Sequence, residues 1–167
     1  MIVFFNGKFV SEEKAVVSIS DRGFLLGDGL FETLRVVAGR PFRFAQHLER
    51  FSHGADFLKI KPPFTPKELQ KFAAQLIEKN KLPEAMLRLT LTRGAGRRGY
   101  SIHGAEQPTL AMTLHPLPVV NSDEPLQWSL VTSSLRIPAG DVLASFEEAI
   151  AAHNAVRAHA GVAPLSW

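Results

Sequence analysis

Asp21-Arg22-Gly23-Phe24-Leu25-Leu26-Gly27-Asp28-Gly29-Leu30-Phe31-Glu32 carries more glycine and acid than a connection between strands requires. Its glycines admit positive φ and close approach of neighbouring backbone, and Asp21 and Asp28 are placed to accept hydrogen bonds from local amides. The plain reading is a structural turn between two hairpins; the density of glycine and acid keeps a functional one open beside it. Upstream, Ile2-Val3-Phe4-Phe5, then Asn6-Gly7, then Lys8-Phe9-Val10 is a tight-hairpin pattern. Downstream, residues 31–37, Ala38-Gly39 and residues 40–44 suggest a second hairpin. Together the two hairpins seed a mostly antiparallel sheet.

Further along, Ala45, Leu48, Phe51, Ala55 and Leu58 form a helical stripe with His47, Glu49 and Arg50 off it. Thr65-Pro66-Lys67-Glu68 reads as a capped helix start, and the helix it opens places Leu69, Phe72, Ala73, Leu76 and Ile77 on one face and ends near Asn80. Leu87, Leu89 and Leu91 alternate with polar residues, as do Leu110, Met112 and Leu114, so two strands flank a glycine-rich loop over 94–108. The expected fold is α+β: residues 1–117 form a domain of mostly antiparallel sheet with two packed helices. Residues 118–125 are expected to form a proline-bearing connector, and 126–167 the truncated or altered start of a second domain, with a strand at 128–132 and a last helix opening near Ser145.

At 167 residues with 46% hydrophobic and 21% charged content, the chain can bury a core, and disorder is not expected. It has no cysteine, and its six histidines show no ligand spacing, which excludes disulfides and thiolate metal sites and argues against any structural metal. No apolar run reaches membrane-spanning length and no secretory leader is visible, so a soluble, cytoplasmic protein without a membrane partner is expected. The net charge of +3 gives little long-range attraction for nucleic acid. All eight lysines lie at or before Lys81, so the second half offers no amine for a Schiff base.

Gly94-Ala95-Gly96-Arg97-Arg98-Gly99 satisfies a dinucleotide-binding string, but the context fails. Such a site needs a helix opening at the last glycines and an acid about 20 residues on, whereas Gly99 leads through Tyr100-Ser101-Ile102-His103-Gly104 to Pro108 and another strand. Adjacent Arg97 and Arg98 offer planar, permanently charged forks for carboxylate or phosphate. A solvated hairpin loop, or a loop that touches nucleic-acid phosphates, stands beside that reading.

Asp21-Arg22-Gly23-Phe24-x-x-Gly27-Asp28-Gly29-x-Phe31-Glu32-Thr33-x-Arg35, with Gly39-Arg40-Pro41-Phe42 and His47-Leu48-x-Arg50-Phe51, resembles the opening of the class IV aminotransferases. That family holds branched-chain and D-amino acid aminotransferases and aminodeoxychorismate lyases. Thr92-Arg93-Gly94-x-Gly96-x-Arg98-Gly99-Tyr100-Ser101 is most similar to the lyase branch, and Ser134-Leu135-Arg136 with Asp141-x-Leu143-Ala144-Ser145 resembles the approach to the catalytic lysine. The resemblance implies pyridoxal 5'-phosphate as cofactor, an amino acid or amino-chorismate substrate, an active site between two domains, and a homodimer. It implies that Arg50 contacts the cofactor phosphate and that Phe31 lines the substrate pocket. Arg98 and Tyr100 would receive the substrate carboxylate, sometimes from the neighbouring subunit, and Arg97 would serve a second carboxylate. His47 is within reach of a hydrogen bond near the cofactor phosphate, but a helix-capping or solvent-facing role is the one expected of it.

The departure from the family lies two residues after Ser145. Where the resemblance sets a lysine followed by threonine or serine, the chain reads Glu147-Glu148. A carboxylate at Glu147 can take a proton but cannot hold the cofactor covalently. The sequence therefore leads to the expectation of a family polypeptide truncated or shifted in frame after Ser145, with no catalytic residue at 147 and little or no activity. The alternative is a non-catalytic domain that binds an anion or partner through Arg50, Arg97 and Arg98.

Overall fold

The computed structural model describes residues 1–117. The connector at 118–125, the strand at 128–132, the helix near Ser145 and Glu147 itself lie outside the described residues.

Strands β1 (Ile2–Phe5) and β2 (Lys8–Ser11) form the first hairpin. Asn6 and Gly7 both take positive φ, 45° and 88°, the backbone that a two-residue turn between twisted strands demands. After a short 3-10 turn, Glu12–Lys14, the chain enters α1 (Arg22–Leu26) and then β3 (Gly29–Val37), which pairs with the two-residue β4 (Arg40–Pro41). Helices α2 (Phe44–Phe57) and α3 (Pro66–Asn80) follow, then β5 (Ala85–Thr92) and β6 (Thr109–Pro116).

All pairings are antiparallel and the sheet order is β2-β1-β6-β5-β3-β4. The two hairpins thus sit at opposite edges, with β5 and β6 inserted between them. The second hairpin is shorter than its sequence suggests: the strand after Ala38-Gly39 ends at Pro41, with one further backbone bond from the Phe42 amide to the Arg35 carbonyl at 2.8 Å.

The period-2 pattern fixes which face is covered. Leu34 and Val36 on β3, Leu87, Leu89 and Leu91 on β5, and Leu110, Met112 and Leu114 on β6 are all buried. They meet Leu48, Phe51 and Ala55 of α2 and Leu69, Ala73, Leu76 and Ile77 of α3 in one core. Full burial of each leucine contributes about 2 kcal/mol. Phe4 is fully buried and packs its ring against Phe9, Phe64 and Phe72, with centroids 5.3, 5.6 and 4.4 Å away. Helix α3 begins as its sequence predicts: Thr65 and Glu68 form a reciprocal capping box. No described helix is long and apolar enough to cross a membrane.

The opening stretch departs from a plain turn. Residues 22–26 make a single helical turn, because the Asp21 carboxylate accepts from the Gly23 amide at 2.8 Å and Gly27 ends the turn in the left-handed region at φ 68°. Asp21 is 1% exposed. Its other carboxylate oxygen accepts from the hydroxyls of Thr92 and Thr109 at 2.9 and 2.8 Å, which fastens α1 to the ends of β5 and β6.

Candidate functional site

Helix α2 carries the first group of site residues. His47 and Arg50 are three apart and so share a face. That face meets β3 at Glu32, the one acid on a strand face otherwise occupied by Leu30, Leu34 and Val36. Arg50 donates from Nε to Glu32 Oε1 and from Nη2 to Oε2, both at 2.6 Å, in a bidentate pair. His47 Nδ1 lies 2.7 Å from Glu32 Oε2. Contrary to the capping or solvent role expected of it, His47 thus spends its ring nitrogen on Glu32, because the strand presents an otherwise buried carboxylate beneath it.

The two partners differ sharply in exposure. The Glu32 side chain is 5% exposed, whereas that of Arg50 is 72% exposed. Glu32 therefore anchors the guanidinium while its outer edge faces solvent. Hydrogen bonds from Arg50 hold the Glu32 carboxyl below its ordinary 4.5 against the opposing effect of burial, with His47 adding to the shift, and the pair raises Arg50 in turn. A carboxylate lowered in the folded state adds stability that is present above pH 4.5 and is lost as pH falls through the lowered value. Glu32→Gln is accordingly expected to be less stable than the parent chain at neutral pH, with the difference shrinking below pH 4.5. Urea titrations across that range check this, and a pH-independent gap would exclude it.

The second group lies on the opposite face of the same strand. Phe31 is 56% exposed, and the Arg88 guanidinium carbon sits 3.7 Å from its ring centroid. The register explains the contact, since Phe31 pairs with Thr90 and Thr33 with Arg88, which makes Phe31 and Arg88 diagonal neighbours. Phe31 is therefore an exposed platform for the Arg88 guanidinium.

The third group is the 94–108 loop. Arg97, Arg98 and Tyr100 line a hollow of about 280 Å³ with Ser20, Arg22, Leu25, Leu26 and Gly99. The loop is held from beneath by Arg22, which is 5% exposed. Arg22 donates from Nη1 to the carbonyls of Gly99 and Ser101, at 3.2 and 3.0 Å, and from Nη2 to that of Tyr100 at 3.0 Å. Its Nε donates to Asp28 Oδ2 at 2.7 Å.

Asp28 is shared. Arg93 donates to it from Nε at 2.8 Å and from Nη2 at 3.1 Å, and also reaches the carbonyls of Leu58 and Lys59 at the end of α2, at 2.6 and 3.0 Å. Burial alone would raise the Asp28 carboxyl, but hydrogen bonds from Arg93 and then Arg22 bring it below its ordinary 3.8. One carboxylate therefore ties the loop to the helix that bears Arg50.

The candidate residues thus fall on three elements: Arg50 on α2, Phe31 on the open sheet face, and Arg97, Arg98 and Tyr100 around the loop hollow. Sequence reasoning missed Glu32, Arg88, and the Arg22–Asp28–Arg93 network. For Glu32 a signal existed: an acid in phase with Leu30, Leu34 and Val36 breaks the core pattern and demands a cation. For Arg22 and Arg93, whose partners include backbone carbonyls distant in sequence, no local signal exists.

The residues present fit the phosphate end of pyridoxal phosphate. Arg50 offers an exposed, pre-oriented guanidinium whose counter-charge is fixed on the protein side, the donor set that an anionic phosphate takes. The position at which the resemblance sets the covalent lysine, Glu147, lies outside the described residues. The described residues contain no histidine and carboxylate group that could hold a metal ion.

The profile of the amino-transferase class IV family matches residues 29–154, so Glu147 and Glu148 fall inside the matched stretch. A Methanocaldococcus jannaschii protein described as a branched-chain-amino-acid aminotransferase is 34% identical over 143 residues, 86% of this chain and 49% of that protein. A D-alanine aminotransferase of Staphylococcus epidermidis is 37% identical over 99 residues, covering 59% of this chain and 35% of its own. Among solved structures, 4-amino-4-deoxychorismate lyase from Pseudomonas aeruginosa superposes with a TM-score of 0.57 and 32% identity over 71% of this chain and 41% of that one. The chain spans between about a third and a half of the length of these relatives. The profile match and the fold agree, and the chain belongs to the class IV aminotransferase family.

Proposed function

We propose that this chain supplies the cofactor-phosphate and substrate-carboxylate contacts of a pyridoxal-phosphate enzyme of the aminotransferase or 4-amino-4-deoxychorismate lyase kind, acting on an amino acid or amino-chorismate. The observation that carries it is the Arg50–Glu32 pair, which holds an exposed guanidinium rigidly on a helix. Pyridoxal phosphate, when bound, supplies an aldehyde that condenses with the substrate amine and a ring that withdraws electrons. Arg50 would hold the phosphate, with Glu32 and His47 fixing its direction. Phe31 with Arg88 would line the substrate pocket, and Arg98, Tyr100 and Arg97 would receive carboxylates, in a homodimer from the neighbouring copy.

Because Glu147 stands where the family resemblance sets a lysine, the 167-residue chain is proposed to bind the cofactor only through its phosphate and to turn over little or no substrate. Pyridoxamine 5'-phosphate, which lacks the aldehyde, isolates that contact from adventitious reaction with surface lysines. Its affinity is expected to fall about tenfold in Arg50→Ala, as for loss of a charge-assisted hydrogen bond. Phosphorus NMR titration measures this, and equal affinity in both proteins would sink the reading. Steady turnover of D-alanine, L-leucine or aminodeoxychorismate by the pure chain with pyridoxal phosphate would overturn the inactivity.

A second reading, a non-catalytic domain that binds an anion or partner through Arg50, Arg97 and Arg98, is favoured by the placement of Arg97 and Arg98 around a hollow. It predicts phosphate and carboxylate binding that Arg98→Ala weakens, and binding unchanged in that variant would remove the reading.

A further inference from the structure

We infer that Arg22 is a positioning residue for the anion-binding edge of the 94–108 loop; the inference rests on the proposed role of Arg98 and Tyr100. Arg22 borders the hollow but is only 5% exposed, and each of its guanidinium nitrogens already donates to a protein oxygen. Its guanidinium spends one N–H on Asp28 and aims the remaining donors at three successive carbonyls, those of Gly99, Tyr100 and Ser101. Three consecutive carbonyls converging on one cation force the backbone to curl around it. That curl fixes where residues 98 and 100 emerge. Gly99, at the start of the curl, has φ 104°, a conformation that glycine takes at little cost.

The tether is anchored at its other end. Asp28, which orients Arg22, is held by Arg93, and Arg93 grips the carbonyls of Leu58 and Lys59 just past the end of α2. The carboxylate-facing loop is thereby set at a fixed distance from the helix that carries Arg50. A purely structural Arg22 would act on overall stability alone. A positioning Arg22 sets the loop's order and its affinity for a dicarboxylate without the sheet being loosened.

Arg22→Lys separates the two. Lysine keeps the charge beside Asp28, but one ammonium on a flexible stem cannot serve Asp28 and three carbonyls in a plane. Amide hydrogen exchange over residues 97–104 is expected to quicken about tenfold while β5 and β6 keep their protection, and malonate affinity is expected to fall about tenfold. Exchange that rises equally across β5, β6 and the loop, or unchanged exchange and affinity, would overturn the inference. In the parent chain the Arg22 guanidinium protons are expected to exchange far more slowly than those of Arg98, a measurement that does not depend on the variant folding; equal rates would also overturn it. If the parent chain takes up no malonate, or Arg98→Ala binds it equally well, the reading of Arg98 and Tyr100 fails, and the exchange measurements alone decide the tether.

Discussion

Asp28→Ala is expected to lower the stability of the chain by about 3–5 kcal/mol, roughly 10–20 °C in melting temperature for a domain of this size. The side chains of Arg22 and Arg93 are only 6% and 10% exposed and share this single carboxylate, itself 14% exposed. Removal of the acid leaves two guanidiniums confined together without their counter-charge, and the loss is dominated by that uncompensated charge and not by the worth of the original pair. Because the Asp28 carboxyl lies below its ordinary 3.8, its contribution is present above that pH and fades as pH falls through the lowered value. Urea unfolding at neutral pH gives the magnitude. A loss under about 1 kcal/mol would show that the network is solvated and that its geometry carries little energy.

Gly94→Ala is expected to cost about 3 kcal/mol, concentrated at the base of the basic loop. Gly94 has φ 88°, where a side chain is strained, and an added Cβ would overlap the Gln107 carbonyl oxygen across the loop's neck. The backbone there has nowhere to retreat, since the Gly94 carbonyl accepts from the Arg22 amide at 2.9 Å and Asp21 bridges to Ala95. Gly99→Ala is the matched comparison: its φ is 104°, but nothing lies within contact distance of the added carbon, so about 1 kcal/mol of backbone strain is all it should show. Thermal unfolding of the two variants side by side tests the argument, and equal losses would mean that the neck yields.

The sheet, both long helices and the capping box were legible because each follows from a local rule. Period 2 placed Leu87, Leu89 and Leu91 on one face, and the 3.6-residue period did the same for Leu48, Phe51 and Ala55. Thr65 and Glu68 announced their own hydrogen bonds. The strand order was not legible, since nothing local to β5 and β6 says that they insert between two hairpins. The glycine- and acid-rich stretch was legible only as special; its function as a clamp depends on Arg93 and on carbonyls at 99–101, which three-dimensional closure alone brings near. Arg50, Arg98 and Tyr100 came from a family resemblance and not from physics. Glu32, which orients Arg50, is legible from physics as an acid on the apolar face of a strand.

The grip of Arg22 falls entirely on main-chain oxygens at 99–101, and the neck below it is closed by backbone at Gly94 and Gln107. Neither fastening reads the side chains of the loop. The side chains of Arg97 and Arg98 take no part in that hold, whereas Gly96, which lies against the Arg22 side chain, and the buried Ala105 belong to the scaffold. Exposed side chain and scaffold are separately editable there: exchange of Arg97 or Arg98 leaves the hold of Arg22, Asp28 and Gly94 in place.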